Sequence, residues 1–218
     1  MQPRQLLLYF VVPVALACSL LAFWTRWQHN VEPLPVTNSP PRSMEERFDV
    51  VVVGAGLSGL SAALAASDAS EELSILLVEK EERCGGNSAK ATSGMNSCDT
   101  QHQRALGIDD TTDLFRADTL RSGGGKSDET LVDTLVEHSK EALEFVEKYA
   151  DFDLSTVSRT GGHSVARTHR PPRGPVGFSL VKTLLTEVEK RSNVQVRNSA
   201  KMTKINANGV AFDDESFV

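Results

Sequence analysis

Apolar positions along the chain change character three times. Leu6 to Trp24 (LLLYFVVPVALACSLLAFW) runs nineteen residues without a charge. At about 1.5 Å rise per residue, such a helix just spans a hydrocarbon core of about 30 Å. Trp24 and Trp27 fall where an interfacial aromatic belt would lie, Arg4 and Arg26 flank the run, and Pro13 is tolerable in a membrane helix. The expectation is one transmembrane anchor within residues 1–27, partnering a membrane of the endoplasmic reticulum and secretory pathway or of the mitochondrion. One Arg on each side leaves its orientation open. The alternative is a cleaved signal peptide, whose apolar region is usually about 7–15 residues. Residues 28–46 contain Pro33, Pro35, Pro40 and Pro41, which predicts an extended linker.

From Phe48 the pattern is that of a folded domain, expected over residues 47–218. Phe48 to Val53 (FDVVVV) is a short β-branched run, as in a strand buried on both faces of a parallel sheet. Gly54-Ala55-Gly56-Leu57-Ser58-Gly59 follows at once, then an Ala- and Leu-rich helix, then a second strand, Ser74 to Val78, ending at Glu79. Each part has a physical task. Gly54 permits the tight turn, Gly56 lets backbone approach a pyrophosphate, and Gly59 lets helix pack close on strand. The helix N-terminus offers N–H groups and partial positive charge to phosphates. Glu79 stands twenty residues past Gly59, where a carboxylate accepts from ribose hydroxyls and repels a 2′-phosphate. Strand, glycines, helix, strand and acid agree in order and spacing, which predicts dinucleotide binding.

Further along, helices are expected over 111–121, over 128–149 with Ser127 as cap, and over about 178–191, within a helical excursion of about 100–191. Leu131, Leu135, Val136, Ala142, Leu143 and Val146 recur at helical spacing and predict a core face. Gly123-Gly124-Gly125-Lys126-Ser127 lacks the leading Gly and the preceding strand of a P-loop, so it reads as a loop and helix cap. Asn208-Gly209 signals a hairpin turn. The fold class is therefore α/β, a doubly wound, Rossmann-like domain. It is expected to be incomplete, with one βαβ unit and no later strand to finish the sheet. Its open edge should make the isolated chain prone to aggregation.

Charge and cysteines narrow the chemistry. Lys and Arg number 23 against 29 Asp and Glu, a formal charge of −6. The first thirty residues hold two of those Arg and no acid, so the remainder is more acidic still. This balance argues against a nucleic-acid partner. Cys18, Cys84 and Cys98 form no CxxC pair, so a zinc ribbon, dithiol site or disulfide scaffold has no support. From Leu154 to Thr186 there is no acid, while Arg159, His163, Arg167, His169, Arg170, Arg173 and Lys182 accumulate. One reading is a basic lining that attracts a dicarboxylate or cofactor phosphates. The other, which is favoured, is structural: Arg side chains tie a Pro- and Gly-rich loop to carbonyls and to the acidic face of helix 128–149.

After Glu79 come two small-residue loops, Gly85-Gly86-Asn87-Ser88 and Ser93-Gly94-Met95-Asn96. With VVVGAGLSGLSAALAA, VEK, GGNSAKATSGMN, GGHSVARTHR and GPVGFSLVKTL, the chain over roughly 48–205 resembles the FAD-dependent fumarate reductase and succinate dehydrogenase flavoprotein superfamily. Within it, the chain looks most like the soluble-type fumarate reductases of yeast and trypanosomatids. The resemblance implies FAD as cofactor. It assigns contacts to Gly54, Gly56, Leu57, Ser58, Gly59, Glu79, Lys80, Gly86, Asn87, Ser88, Thr92, Ser93 and Gly94, and possible backbone contact to adenine near Met202. Asn87 stands where respiratory relatives carry a flavin-linked His, which implies FAD held without a covalent bond. The implied reaction passes hydride from the flavin to fumarate, giving succinate. In the family, the proton-donating Arg and the substrate-clamping His and Arg lie beyond the matched region, so no catalytic residue is assigned and the chain alone is expected to be inactive. Two alternatives stay open: another FAD oxidoreductase of the superfamily, of ketosteroid dehydrogenase or L-aspartate oxidase type, and a non-catalytic FAD-binding remnant.

Overall fold

The structure is a computed structural model and describes residues 46–206 and 209–213. The apolar run at 6–24 and nearly all of the Pro-rich linker lie outside the described residues. Among the described residues no helix is long and apolar enough to cross a membrane.

The β-branched run forms β1 (Val50–Val53), and ILLV forms β2 (Ile75–Val78), buried along its whole length. Between them α1 (Leu57–Ala69) makes the crossover. After a single 3₁₀ turn (Ser88–Lys90) and β3 (Met95–Asn96) comes the excursion. It contains α2 (Gln101–Ala105), α3 (Thr112–Gly123), α4 (Glu129–Glu137) and α5 (Ser139–Tyr149). Next come β4 (Thr156–Ser158), β5 (Thr168–Arg170) and α6 (Val176–Glu189). The chain then adds β6 (Val194–Arg197), β7 (Met202–Asn206) and β8 (Gly209–Phe212).

The strands form three sheets. In the first, β2 lies between β1 and β6, all parallel, with Val50 opposite Ile75 and Ile75 opposite Val194. In the second, β5 lies between β3 and β4, antiparallel. In the third, β7 and β8 form an antiparallel hairpin in which Asn206 pairs with Gly209, in accord with the Asn-Gly signal.

Alternation along β2 divides the core. Ile75 and Leu77 face α1 and α6, packing with Leu60, Ala63, Leu64, Leu184 and Val188. Leu76 and Val78 face the hairpin and meet Ala200, Val210 and Phe212. Both faces of β2 are therefore covered, which explains its uninterrupted apolar sequence. Asp68 near the end of α1 gathers Lys148 at 2.7 Å, Arg191 at 2.9 Å and the Tyr149 hydroxyl, so α1, α5 and the end of α6 share one polar staple.

Four expectations need correction. The sheet has a third strand, β6: a Val-Gln-Val-Arg segment on a sheet edge carries only a weak apolar signal. Among the described residues, helices cover one face of the sheet, not both as in a doubly wound sheet, and the hairpin covers the second. The helix expected over 128–149 is two helices meeting at His138, whose φ of −101° and ψ of 8° leave the helical region. Buried Ser139 serves the break, donating to the Val136 carbonyl at 3.0 Å and accepting from the Cys98 amide at 3.3 Å. Finally, Asp128 rather than Ser127 caps α4, accepting from Leu131 N at 3.2 Å, and Leu131 is exposed because the inward positions are Val132 and Val136.

Leu184 has no exposed surface and joins α6 to the main core. Leu184→Ala should cost about 2–5 kcal/mol through lost contacts and a residual cavity. The expected signature is a lower denaturant midpoint with unchanged slope in equilibrium unfolding.

Candidate cofactor-binding site

The site begins where β1 stops. Gly54 takes φ +96°, a region that L side chains rarely adopt, and its amide donates to the Val78 carbonyl at 2.7 Å. The turn delivers α1 so close to the strand that a Cβ on Gly59 would lie 1.8 Å from the Gly54 carbonyl oxygen. Only glycine fits there. Gly56 sits at the N-cap of α1 and offers no side-chain cap, so the positive end of the helix is left for another acceptor.

Glu79 closes this turn from the neighbouring strand. It is 7% exposed, and its Oε2 accepts from the Ala55 amide at 2.9 Å while Oε1 accepts from the Glu81 amide at 3.0 Å. Each carboxylate oxygen keeps a further lone-pair direction. The Gly85–Ser88 segment closes the turn from the other side. Gly85 N donates to the Ala55 carbonyl at 2.8 Å, and Ser88 Oγ accepts from Leu57 N at 3.2 Å.

The structure thus brings Gly54, Gly56, Leu57, Ser58, Gly59, Glu79 and Ser88 together around one turn. Gly86 and Asn87 are exposed beside them, with Asn87 Oδ1 accepting from Lys90 Nζ at 3.5 Å. Lys80 points to solvent and pairs with Glu81 at 3.5 Å. Thr92 and Ser93 are exposed and Gly94 is half-buried, on a loop that packs against β5. Met202 packs in the core between the sheet and the hairpin.

Two contributors escaped the sequence reading. Gly85 anchors the second loop to the first. Gly177, in the first turn of α6, donates to the Ala91 carbonyl at 2.9 Å, and a Cβ there would lie 2.0 Å from the Ser88 carbonyl oxygen. Helix α6 is therefore the floor under the Ser88–Lys90 turn. A glycine inside an otherwise apolar helical run was the available signal.

The basic stretch resolves into one buried cluster and a solvated rim. Arg167 is fully buried and binds Asp110 through Nε at 3.1 Å and Nη2 at 2.9 Å, and Asp118 at 3.1 Å. Its acids thus come from α3 and the loop before it, not from the 128–149 face. Asp110 and Asp118 are eight residues apart and 49 or more from Arg167, so no local pattern reveals them. Burial opposes ionisation of Asp118, but the Ser164 hydroxyl and amide, with Arg121 and Arg167, outweigh it and hold its carboxyl well below the usual carboxylate range. His169 is buried, and burial depresses its pKa. Its Nδ1 lies 3.0 Å from the Arg167 carbonyl, which can only accept, so Nδ1 carries the proton and Nε2 accepts from Thr100 Oγ1 at 2.9 Å. Arg159, Arg170, Arg173 and Lys182 are exposed. Among the described residues no group of His, Cys, Asp and Glu is placed to hold a metal ion.

A family described as FAD binding domain matches residues 49–214. The chain belongs to this family. It is 42% identical over 145 residues to the NADH:fumarate oxidoreductase of Klebsiella pneumoniae, covering 66% of this chain and 15% of that protein. It is 36% identical over 165 residues to fumarate reductase 1 of Saccharomyces cerevisiae, covering 75% of this chain and 34% of that protein. Among solved structures, the open conformation of a flavocytochrome c3 fumarate reductase superposes with a TM-score of 0.71 at 30% identity, covering 78% of this chain and 30% of that one. The chain is thus a member of the fumarate reductase and succinate dehydrogenase flavoprotein superfamily, and it spans 15% to 34% of the length of the two curated relatives named.

FAD is the cofactor of this family, and the residues present fit it. The N-cap residue of α1 supplies no side-chain cap, and apart from the chain neighbours no atom lies within 4 Å of where a Cβ on Gly54 or Gly86 would stand. A buried carboxylate sits at the end of the next strand. Glu79→Ala removes the clamp on Ala55 and the buried carboxylate beside the glycine turn. FAD affinity should fall by about 1.5–3 kcal/mol, the scale of hydrogen bonds to a charged group. Fluorescence titration of FAD against the apoprotein checks this.

Proposed function

We propose that residues 49–214 hold FAD for an enzyme that reduces fumarate to succinate. The observation that carries the reading is the turn around Ala55, where Glu79, the start of α1 and the Gly85–Ser88 loop converge, in a chain whose relatives bear fumarate reductase names. When bound and reduced by an external electron donor, the flavin would supply the hydride. In this chain the α1 amides and the glycine turn receive the pyrophosphate, Glu79 accepts from the ribose, and the Ser88 and Thr92–Gly94 loops border the rest of the cofactor.

The FAD is held without a covalent bond. Asn87 is exposed just before the Ser88–Lys90 turn and carries an amide, which donates and accepts hydrogen bonds but lacks the nucleophilic lone pair of an imidazole. The run from Leu6 to Trp24 anchors the protein in a membrane, with residues 28–46 as the spacer.

Three measurements test these statements. The full-length protein, supplied with reduced flavin and fumarate, should form succinate; turnover of a ketosteroid or L-aspartate but not fumarate would contradict the reading. Acid precipitation should release all yellow colour into the supernatant, whereas flavin fluorescence on the denatured gel band would refute non-covalent binding. On alkaline carbonate extraction the protein should stay with the membrane pellet, and release into the wash would refute the anchor.

A further inference from the structure

We propose that Arg167 is a positioning residue for the Thr92–Gly94 loop, fixing through β5 the geometry that this loop presents to the flavin. The proposal rests on the reading above that the loop borders the cofactor.

The segment 166–169 is pinned from several sides by buried polar groups. Gln103 Nε2 donates to the Ala166 carbonyl at 2.9 Å and to Asp110 Oδ2 at 2.8 Å. The Arg167 guanidinium is held by Asp110 and Asp118 and lies 4.6 Å from the centroid of the Phe115 ring. The Arg167 carbonyl accepts from Ser97 N at 3.0 Å and from His169. A buried ion cluster is a poor device for stability alone, because apolar residues of like volume often serve as well. Here, among the described residues, Arg167 Nη1 has no hydrogen-bond partner. What the cluster does supply is directional constraint on one short strand.

That strand sets the loop. Met95 pairs with His169 and Asn96 with Thr168. Thr168 Oγ1 donates to Asn96 Oδ1 at 2.7 Å. With its one proton so used, it accepts from Thr160 Oγ1, also at 2.7 Å. Gly94 takes φ +150°, and a Cβ there would lie 2.5 Å from Thr168 Cγ2 and 2.6 Å from the His169 carbonyl oxygen. The loop thus rests directly on β5, with no slack for a side chain. The bonds among Ala55, Glu79, Leu57 and Ser88 lie around the turn after β1 and are separate from these. Displacing β5 should therefore alter how the flavin is seated while leaving FAD bound.

The test uses the full-length holoprotein with R167K, T168V and G94A. R167K keeps the charge but loses the forked contact with Asp110. T168V removes the hydroxyl and keeps a methyl against Gly94. Both should retain one FAD per chain, and both should displace the visible flavin band and shift the flavin midpoint potential, as should G94A. A lowered melting temperature with unchanged band and potential in R167K and T168V, while G94A shifts them, would reduce Arg167 to a purely structural role and overturn the proposal. If R167K does not fold, T168V decides alone, and an unchanged flavin in it overturns the proposal. An unchanged flavin in G94A would instead show that the loop does not border the cofactor, and both readings fall.

Discussion

One carboxylate holds the cofactor end of this molecule together. Glu79 follows β2 directly, and its side chain reaches across to the turn after β1, taking the Ala55 amide with one oxygen and the Glu81 amide with the other. Backbone donors at a strand-to-helix turn are expensive to bury unpaired. By satisfying one of them, Glu79 lets the turn approach the sheet as closely as Gly59 demands. Gly85 N completes the enclosure through the Ala55 carbonyl. The acid is thus the strut of the glycine turn, tying the end of β2 to the start of α1.

Helix α6 carries this arrangement to the rest of the fold. Its apolar face meets α1 through Val181, Leu184 and Val188, and its first turn lies under Ser88. The 3₁₀ turn is therefore held between two helices that belong to different parts of the sequence. The second sheet is organised by a different physics. Its strands are two or three residues long, too short to rest on ladder bonds, and buried Asp110, Asp118, Arg167 and His169 hold them in register.

The parts of this structure visible in the sequence are those whose physics is local. A β-branched strand, a glycine turn, a helix start and a terminal acid occupy consecutive positions, so the order of elements from Phe48 to Glu79 could be read directly, although among the described residues β1 is a half-buried edge strand with Val53 exposed rather than a strand buried on both faces. Asn208-Gly209 likewise marked its hairpin. Long-range features were not readable. Arg167 meets its acids only through the path of α3, and nothing near residue 110 or 118 marks them as buried. The break at His138 was hidden because Val136, Ala142, Leu143 and Val146 keep an apolar period across it. Of the residues assigned to the cofactor, those built on backbone geometry are brought together around Ala55, while Lys80, Asn87, Thr92 and Ser93 are exposed on the loops beside it. Their side chains make no local pattern that dictates a single orientation.

The parallel sheet has a further property, set by the order in which its strands arrive. Ile75 of β2 pairs with Val194 of β6, and the whole helical excursion lies between them. Closing a loop of that length costs chain entropy before any ladder bond forms, and non-local pairings of this kind slow folding. The excursion's helices have local contacts and can form first, bringing the ends of that loop together. During synthesis β2 leaves the ribosome long before β6, with one edge unpaired and all four of its residues apolar. Until β6 arrives, that apolar edge is open to pairing with other chains, so the length of the excursion is also the length of chain over which the edge stays unprotected.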